Sequence, residues 1–263
     1  MINRVRHAFH NLIGLEALVT KEIKRFFGMV GQTIGPPLLT SLLYIYIFGA
    51  LLGPRIQDIL PGVSYIDFIV PGLLMMNTIS GAFMQISFAI YLGKLQGSIQ
   101  EVLVAPLSYA EMALGYITAA VVRGVVVGLG IYLVAVIFTA ANVQHFWAFV
   151  YFLVVTSLLF ASLGAVTGLW AKSFESINIP NTFILLPLSF MGGVFHSVAL
   201  LPPTLALATR LNPIFYMVNG IRWSMIGRAD VSPLAAALVV GVLALASFLW
   251  CVYLFRAGYR LRS

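Results

Sequence analysis

The chain has 263 residues, 61% of them hydrophobic and only 9% charged, with a formal net charge of +7 and a mean hydropathy of +1.01. A water-soluble domain carries roughly 45–50% apolar and about 25% charged residues, so this surplus of apolar surface needs a bilayer as its solvent. Basic residues flank the apolar runs instead of forming one stripe, which excludes a nucleic-acid partner, and the ~10-residue alternation of a transmembrane barrel is absent.

From the N-terminus, Leu12, Leu15, Val19, Ile23 and Phe26 recur at spacings of three and four and share one helical face. Lys21, Lys24 and Arg25 fall mostly off it, where cationic side chains reach toward headgroups. The pattern predicts a helix over 12–27 lying in the membrane interface; a cytosolic helix packed on a partner satisfies the same spacing. A first span is expected over about 30–52, with Pro36 and Pro37 near its start, and a second over about 68–92. After a polar stretch at 93–108, Ser108-Tyr109-Ala110-Glu111 has the spacing of a capping box and opens a third span to about Ala141. Asn142 to His145 form a tight connection to a fourth span over 146–170, and a short charged turn, 171–176, follows. The fifth span, about 177–191, contains Pro180 and Pro187 and is broken by Gly192-Gly193. Residues 194–231 are apolar but interrupted by Pro202-Pro203 and by Asn212-Pro213, an N-cap followed by a first-turn proline. They predict two helices too short to span. Ser232-Pro233 repeats the start signal for a sixth span, about 234–255, which contains the single cysteine, Cys251, as a packing residue.

With the N-terminus inside, the inner flanks hold Arg4, Arg6, Lys21, Lys24, Arg25, Lys94, Lys172, Arg256, Arg260 and Arg262, against Arg55, Arg210, Arg222 and Arg228 outside. This bias puts both termini in the cytoplasm. The polar, amphipathic start does not resemble a cleavable signal, and no internal repeat suggests a secondary transporter built from inverted halves.

Three chemistries can be tested on the residues. ATP hydrolysis needs Gly-x-x-x-x-Gly-Lys-Ser/Thr; the one Gly-Lys, Gly93-Lys94, has Phe88 in place of the first glycine and Leu95 after the lysine. His7, His10, His145 and His196 lack His-Glu-x-x-His spacing, and no Gly-x-Ser-x-Gly turn occurs, so an intramembrane enzyme has no recognisable ligands or nucleophile. An ion-driven carrier places acids within its spans, whereas the eight acids here, from Glu16 to Asp230, fall in flanks or loops. Arg123 is the one mid-span charge. It must face the bundle interior or a wet cavity, either to pair with an acid or a substrate headgroup or to satisfy buried carbonyls. Phe83, Met84 and Phe88, with Met75 and Met76, line a pathway or pack the bundle.

Within the cytoplasmic stretch, Ile99, Val102 and Leu103 form an apolar ridge with Glu101 beside it. Such a ridge suits docking into a groove on a soluble partner; an ordinary interfacial turn has the same spacing. Gln96 to Ser108, with Gln100, Glu101, Val102, Leu103 and Pro106-Leu107-Ser108, resembles the coupling helix of ABC-2-type permeases. Asn212-Pro213 with Tyr216, Arg222-Trp223 and Gly227 resembles that family's signature ahead of the last span. Val70-Pro71-Gly72, Leu201-Pro202-Pro203 and the closing Arg260-Leu261-Arg262-Ser263 are most similar to its YadH-type inner-membrane branch. One departure is that Gln96-Gly97-Ser98 stands where many relatives carry two acids and Gly-Thr.

The resemblance implies an all-α membrane protein of the type V exporter fold. It has six transmembrane helices, an interfacial helix within residues 1–28, and a six-span domain over 29–263 that includes a coupling helix (93–108) and an outer re-entrant pair (194–231). It implies a permease subunit without its own ATPase site, in the bacterial inner membrane. Such a subunit forms a homodimer and docks on two copies of a cytosolic ATPase that binds the ATP and magnesium. Gln100, Glu101, Val102, Leu103 and Pro106 are then the contact residues, with Lys21 and Phe26 a second contact. Relatives of this type move lipid-linked glycans, lipooligosaccharides and hydrophobic drugs, which makes an amphipathic substrate the expectation.

Overall fold

Every described element of the chain is helical. A computed structural model describes residues 2–53, 62–139 and 142–259. Arg55, Arg260 and Arg262 of the charge count, and the closing Ser263, lie outside the described residues. In order, the elements are α1 (Ile2–Phe27), α2 (Val30–Thr33), α3 (Gly35–Tyr44) running into a π-helical stretch (Ile45–Leu52), α4 (Tyr65–Leu95), α5 (Ser98–Val104), α6 (Tyr109–Phe138) and α7 (Phe146–Trp170). They continue with α8 (Phe174–Pro180), a second π stretch (Asn181–Leu185), α9 (Leu186–Met191), a 3-10 turn (Val198–Leu200), α10 (Pro203–Leu211), α11 (Pro213–Ile226) and α12 (Pro233–Arg256).

Four of these, α4, α6, α7 and α12, are long and apolar enough to cross a membrane. The sequence signals read at the starts of α6 and α12 are the ones that act. Ser108 accepts from the Glu111 amide while Glu111 Oε2 accepts from the Ser108 amide at 2.7 Å, and Ser232 accepts from the Ala235 amide. The expected first and fifth spans are composite. Over Val30–Leu52 the helix is interrupted at Ile34 and widens to π geometry from Ile45, and the stretch over Phe174–Met191 does the same around Asn181–Leu185. A proline withholds the N–H that continues an α-helical ladder and its ring crowds the preceding turn, so Pro36-Pro37 account for the break at Ile34, and Pro180 and Pro187 for the widening over Asn181–Leu185. As the sequence requires, α10 and α11 are short, about 14 and 21 Å at 1.5 Å per residue.

α4 is the axis of the molecule, with 22 buried residues spread around its circumference. It packs closely with α7 because the facing surface of α7 is nearly flat. A Cβ at Gly164 would strike the Phe83 carbonyl, and one at Gly168 would lie 2.8 Å from the Ser87 carbonyl oxygen. The four-residue spacing puts both glycines on one face, and small residues so spaced let helix backbones approach in lipid. Ser87 uses the approach to donate to the Gly164 carbonyl at 2.8 Å. Gly124 and Gly128 make the same kind of seam on α6, against Ser157 and Leu153 of α7 and Thr78 of α4. Lys94, placed by its sequence position among inner-flank charges, folds onto the end of α7. Its Nζ donates to the carbonyls of Gly168, Leu169 and Ala171 at 3.2, 2.6 and 3.2 Å, where helix ends leave acceptors unmet.

Candidate functional site

The polar elbow between α4 and α6 is built by three backbone devices. α4 ends at Gln96; Gly97 turns the chain with φ +74°, a conformation side chains resist; and the capped start of α6 fixes the exit. Between them α5 is a helix of seven residues. Its apolar ridge points the other way from the sequence expectation. Ile99 and Val102 are buried at 3% and 9% exposure in a cluster with Ile86, Ile90 and Met112. The ridge anchors the elbow to its own bundle. The face left outward carries Gln100, Glu101, Val104 and Pro106, with Leu103 half-buried. Val102 is therefore not on the surface a partner would meet, and Val104, absent from the expected contacts, is 86% exposed.

α1 differs in the same sense. The stripe predicted through Leu12, Val19 and Ile23 is rotated: Leu18, Glu22 and Phe26 are the buried residues, and Leu12 is 60% exposed. The cause is Gly115 on α6, whose missing side chain admits Leu18 and Leu15. Lys21 is exposed, but Phe26 is 1% exposed and is withdrawn from any partner. Glu22 is buried and pairs with Arg25 at 2.5 Å. Burial pushes its carboxyl above the usual range, against the opposing charges of Arg25 and Lys21. Glu22 lies outside the spans, as the sequence places it, yet is buried, since helix periodicity carries a polar residue inward when its neighbours four positions away are the anchors.

Phe26 lies under Arg123, its ring centroid 6.0 Å from the guanidinium carbon. Arg123 donates to Gln85 Oε1 at 2.8 Å. Among the described residues neither an acid nor a row of carbonyls answers the charge; a neutral carboxamide and an aromatic face do. Phe83, Met75 and Met76 are core residues, while Met84 and Phe88 are half-buried, Phe88 lying 5.9 Å from the Phe174 ring. Near them Asn77 donates to Ser41 and Ser80 donates to Asn181. These contacts join α4 to both composite segments through polar side chains.

At the opposite end, the signature residues converge. Asn212 does two tasks, its Oδ1 capping the Ile214 amide at 3.0 Å and its Nδ2 donating to the Leu188 carbonyl at 2.6 Å. Arg222, counted from the sequence among outer charges, is wholly buried. Its Nη2 donates to the Gly193 carbonyl at 2.6 Å, its Nε to the Phe68 carbonyl at 3.3 Å, and its plane lies 3.8 Å from the Phe68 ring. Pro71-Gly72 belongs to the same knot: a Cβ on Gly72 would sit 2.8 Å from Val194 Cα. Tyr216 is half-buried beside Phe215. Asp230 accepts from the Ser197 hydroxyl at 2.6 Å and from the Val198 amide. His196 is held below its usual range by burial and then by Arg222, with Asp230 opposing, which leaves a neutral imidazole. Among the described residues no group of three or more His, Cys, Asp or Glu is placed to hold a metal.

Sequence reasoning missed the burial of Glu22 and Arg222 and the glycine seams. The Gly164–Gly168 and Gly124–Gly128 spacings were a readable signal for the seams; nothing local marks the two buried charges. Residues 14–226 match the profile of the ABC-2 type transporter family. The chain is 40% identical over 252 residues, 95% of its length and 98% of the relative's, to the inner membrane transport permease YadH of Escherichia coli strain K12. It is also 27% identical over 223 residues to nodulation protein J of Rhizobium leguminosarum bv. viciae, covering 82% of this chain and 80% of that one.

Proposed function

The chain belongs to the ABC-2 type transporter family, and from that premise we propose that it is the membrane subunit of an ATP-driven exporter in a bacterial inner membrane. It works as a homodimer docked on two copies of a separate ATPase. The ATP and magnesium belong to that partner, since this chain carries no phosphate loop. The four long helices cross the bilayer, and the composite stretches over Val30–Leu52 and Phe174–Met191, about 34 and 27 Å long, complete six spans. α7 supports this placement, with exposed Trp147 and Trp170 near its two ends, about 34 Å apart along the helix. α10 and α11 form the re-entrant pair on the outer side.

The observation that carries the reading is the elbow. α5 presents Gln100, Glu101 and Val104 outward and is pinned behind by Ile99 and Val102, so a push on its outer face passes to α4 and α6 instead of being absorbed by a loose loop. ATP-driven closure of the partner subunits supplies the push, and the spans tilt to expose an amphipathic substrate on alternate sides. Glu101→Arg reverses the one charge on the exposed face. It is expected to lower recovery of the ATP-binding subunit with the tagged permease by about tenfold, the effect of losing one charge-assisted contact of ~1.4 kcal/mol. Undiminished stoichiometric recovery removes Glu101 from the docking contact.

A further inference from the structure

A cavity of about 270 Å³ opens between the first turn of α4, the α6–α7 connection and the end of α11, with Asp67, Asn142, Gln144, Met225 and Arg228 in its wall. Asp67 Oδ2 accepts from the Ser64 hydroxyl at 2.6 Å, but Oδ1 is shielded from solvent and has no hydrogen-bond partner. Arg228 is exposed and forms no ion pair among the described residues. Each charge has a local reason for its sign: Asp67 lies in the first turn of α4 and Arg228 just beyond the last turn of α11, where helix ends favour an anion and a cation respectively. That does not explain why an acceptor lacking a donor and a five-donor fork lacking an acceptor, among the described residues, line one hollow. The Asn142 and Gln144 carboxamides, which both donate and accept, complete a lining suited to a ligand with charges of both signs.

We propose that this cavity binds a zwitterion bearing a primary ammonium and a phosphate, the headgroup chemistry of phosphatidylethanolamine. The ammonium sits on Asp67 after a small turn about its χ2, and the phosphate sits in the guanidinium fork of Arg228. Since ~10–15 Å³ holds one water, the space admits a whole headgroup. Phe146 and Trp147, 59% and 81% exposed at the adjoining start of α7, mark the aromatic belt where phospholipid headgroups lie. The proposal rests on the membrane placement given above only for the lipid being at hand; it needs neither the ATPase nor export.

Native mass spectrometry of the detergent-purified full chain with equimolar dioleoyl phosphatidylethanolamine, phosphatidylcholine and phosphatidylglycerol tests it. Choline has no N–H to give Asp67, and glycerol carries no cation. The ethanolamine lipid is expected to be retained preferentially. Asp67→Asn and Arg228→Gln should each lower that retention by about tenfold, the loss of one charge-assisted hydrogen bond, at an unchanged unfolding temperature. Soluble glycerophosphoethanolamine separates the two sources of this chemistry: displacement of the lipid shows that the headgroup suffices, and failure to displace it shows that the lipid is the ligand. Equal retention of the three lipids, or a preference that survives both substitutions, overturns the proposal.

Discussion

Arg222 shows what one residue can hold together. Its guanidinium reaches the Gly193 and Phe68 carbonyls and covers the Phe68 ring, so a single buried cation joins α11, the break after α9 and the start of α4. Unpaired by any carboxylate within ion-pair distance among the described residues, it depends on those carbonyls for its solvation. Arg222→Met leaves two buried acceptors without donors at roughly 1–3 kcal/mol each. The loss of stability is therefore about 2–6 kcal/mol, to be read as a lower unfolding temperature in detergent. Arg222→Lys, which keeps the charge but not the planar fork, should recover only part of it. An unfolding temperature equal to that of the parent in both variants would show that the outer knot is held by something else. Arg123 illustrates a milder solution to the same difficulty, because Gln85 and the Phe26 ring satisfy it partially without neutralising it.

At the level of elements, three contacts gather at one end of the long helices: α1 through Leu15 and Leu18 at Gly115, α5 through Ile99 and Val102, and the Lys94 cap on α7. Each contact is shallow and relies on one small or flexible residue. Gly115→Leu removes the recess that seats α1. Hydrogen exchange in α1 is expected to rise toward that of an undocked helix, with α4 and α7 unchanged, because those two are joined by their own glycine seam. Protection of α1 equal to the parent's would show that the Phe26–Arg123 end alone retains it. The elbow differs in being braced at both ends, by the left-handed Gly97 and the Ser108–Glu111 box. That makes it, of the three, the one suited to carrying force.

Across the whole molecule, the proposed topology puts α5 and the α1 side on one face of the bilayer and the Arg222 knot with the ethanolamine cavity on the other. Val104, 86% exposed on α5, reports on this directly because Cys251 is buried and inert to aqueous reagents. Val104→Cys is expected to react with a membrane-impermeant maleimide in inverted vesicles and not in intact cells. Labelling from the outside would place the elbow beyond the reach of any cytosolic ATPase and end the exporter reading.

The helical class, the bilayer as solvent, the capping of α6, α11 and α12, and the two helices too short to span were legible from the residues alone. Each of these follows from local rules: apolar run length, N-cap chemistry, and proline and glycine breaks acting within a few residues. Val70-Pro71-Gly72 and Gly192-Gly193 were visible as motifs, yet only the fold set Gly72 against Val194 and the Gly193 carbonyl against Arg222. It alone decided which way α5 and α1 face, that Val102, Phe26, Glu22 and Arg222 are inside, and that Asp67 and Arg228 share a cavity. The reason is that side-chain direction on an amphipathic helix at the edge of a bundle is settled by the neighbour with room to receive it, such as Gly115 for Leu18. That room is created by chain segments about a hundred residues away.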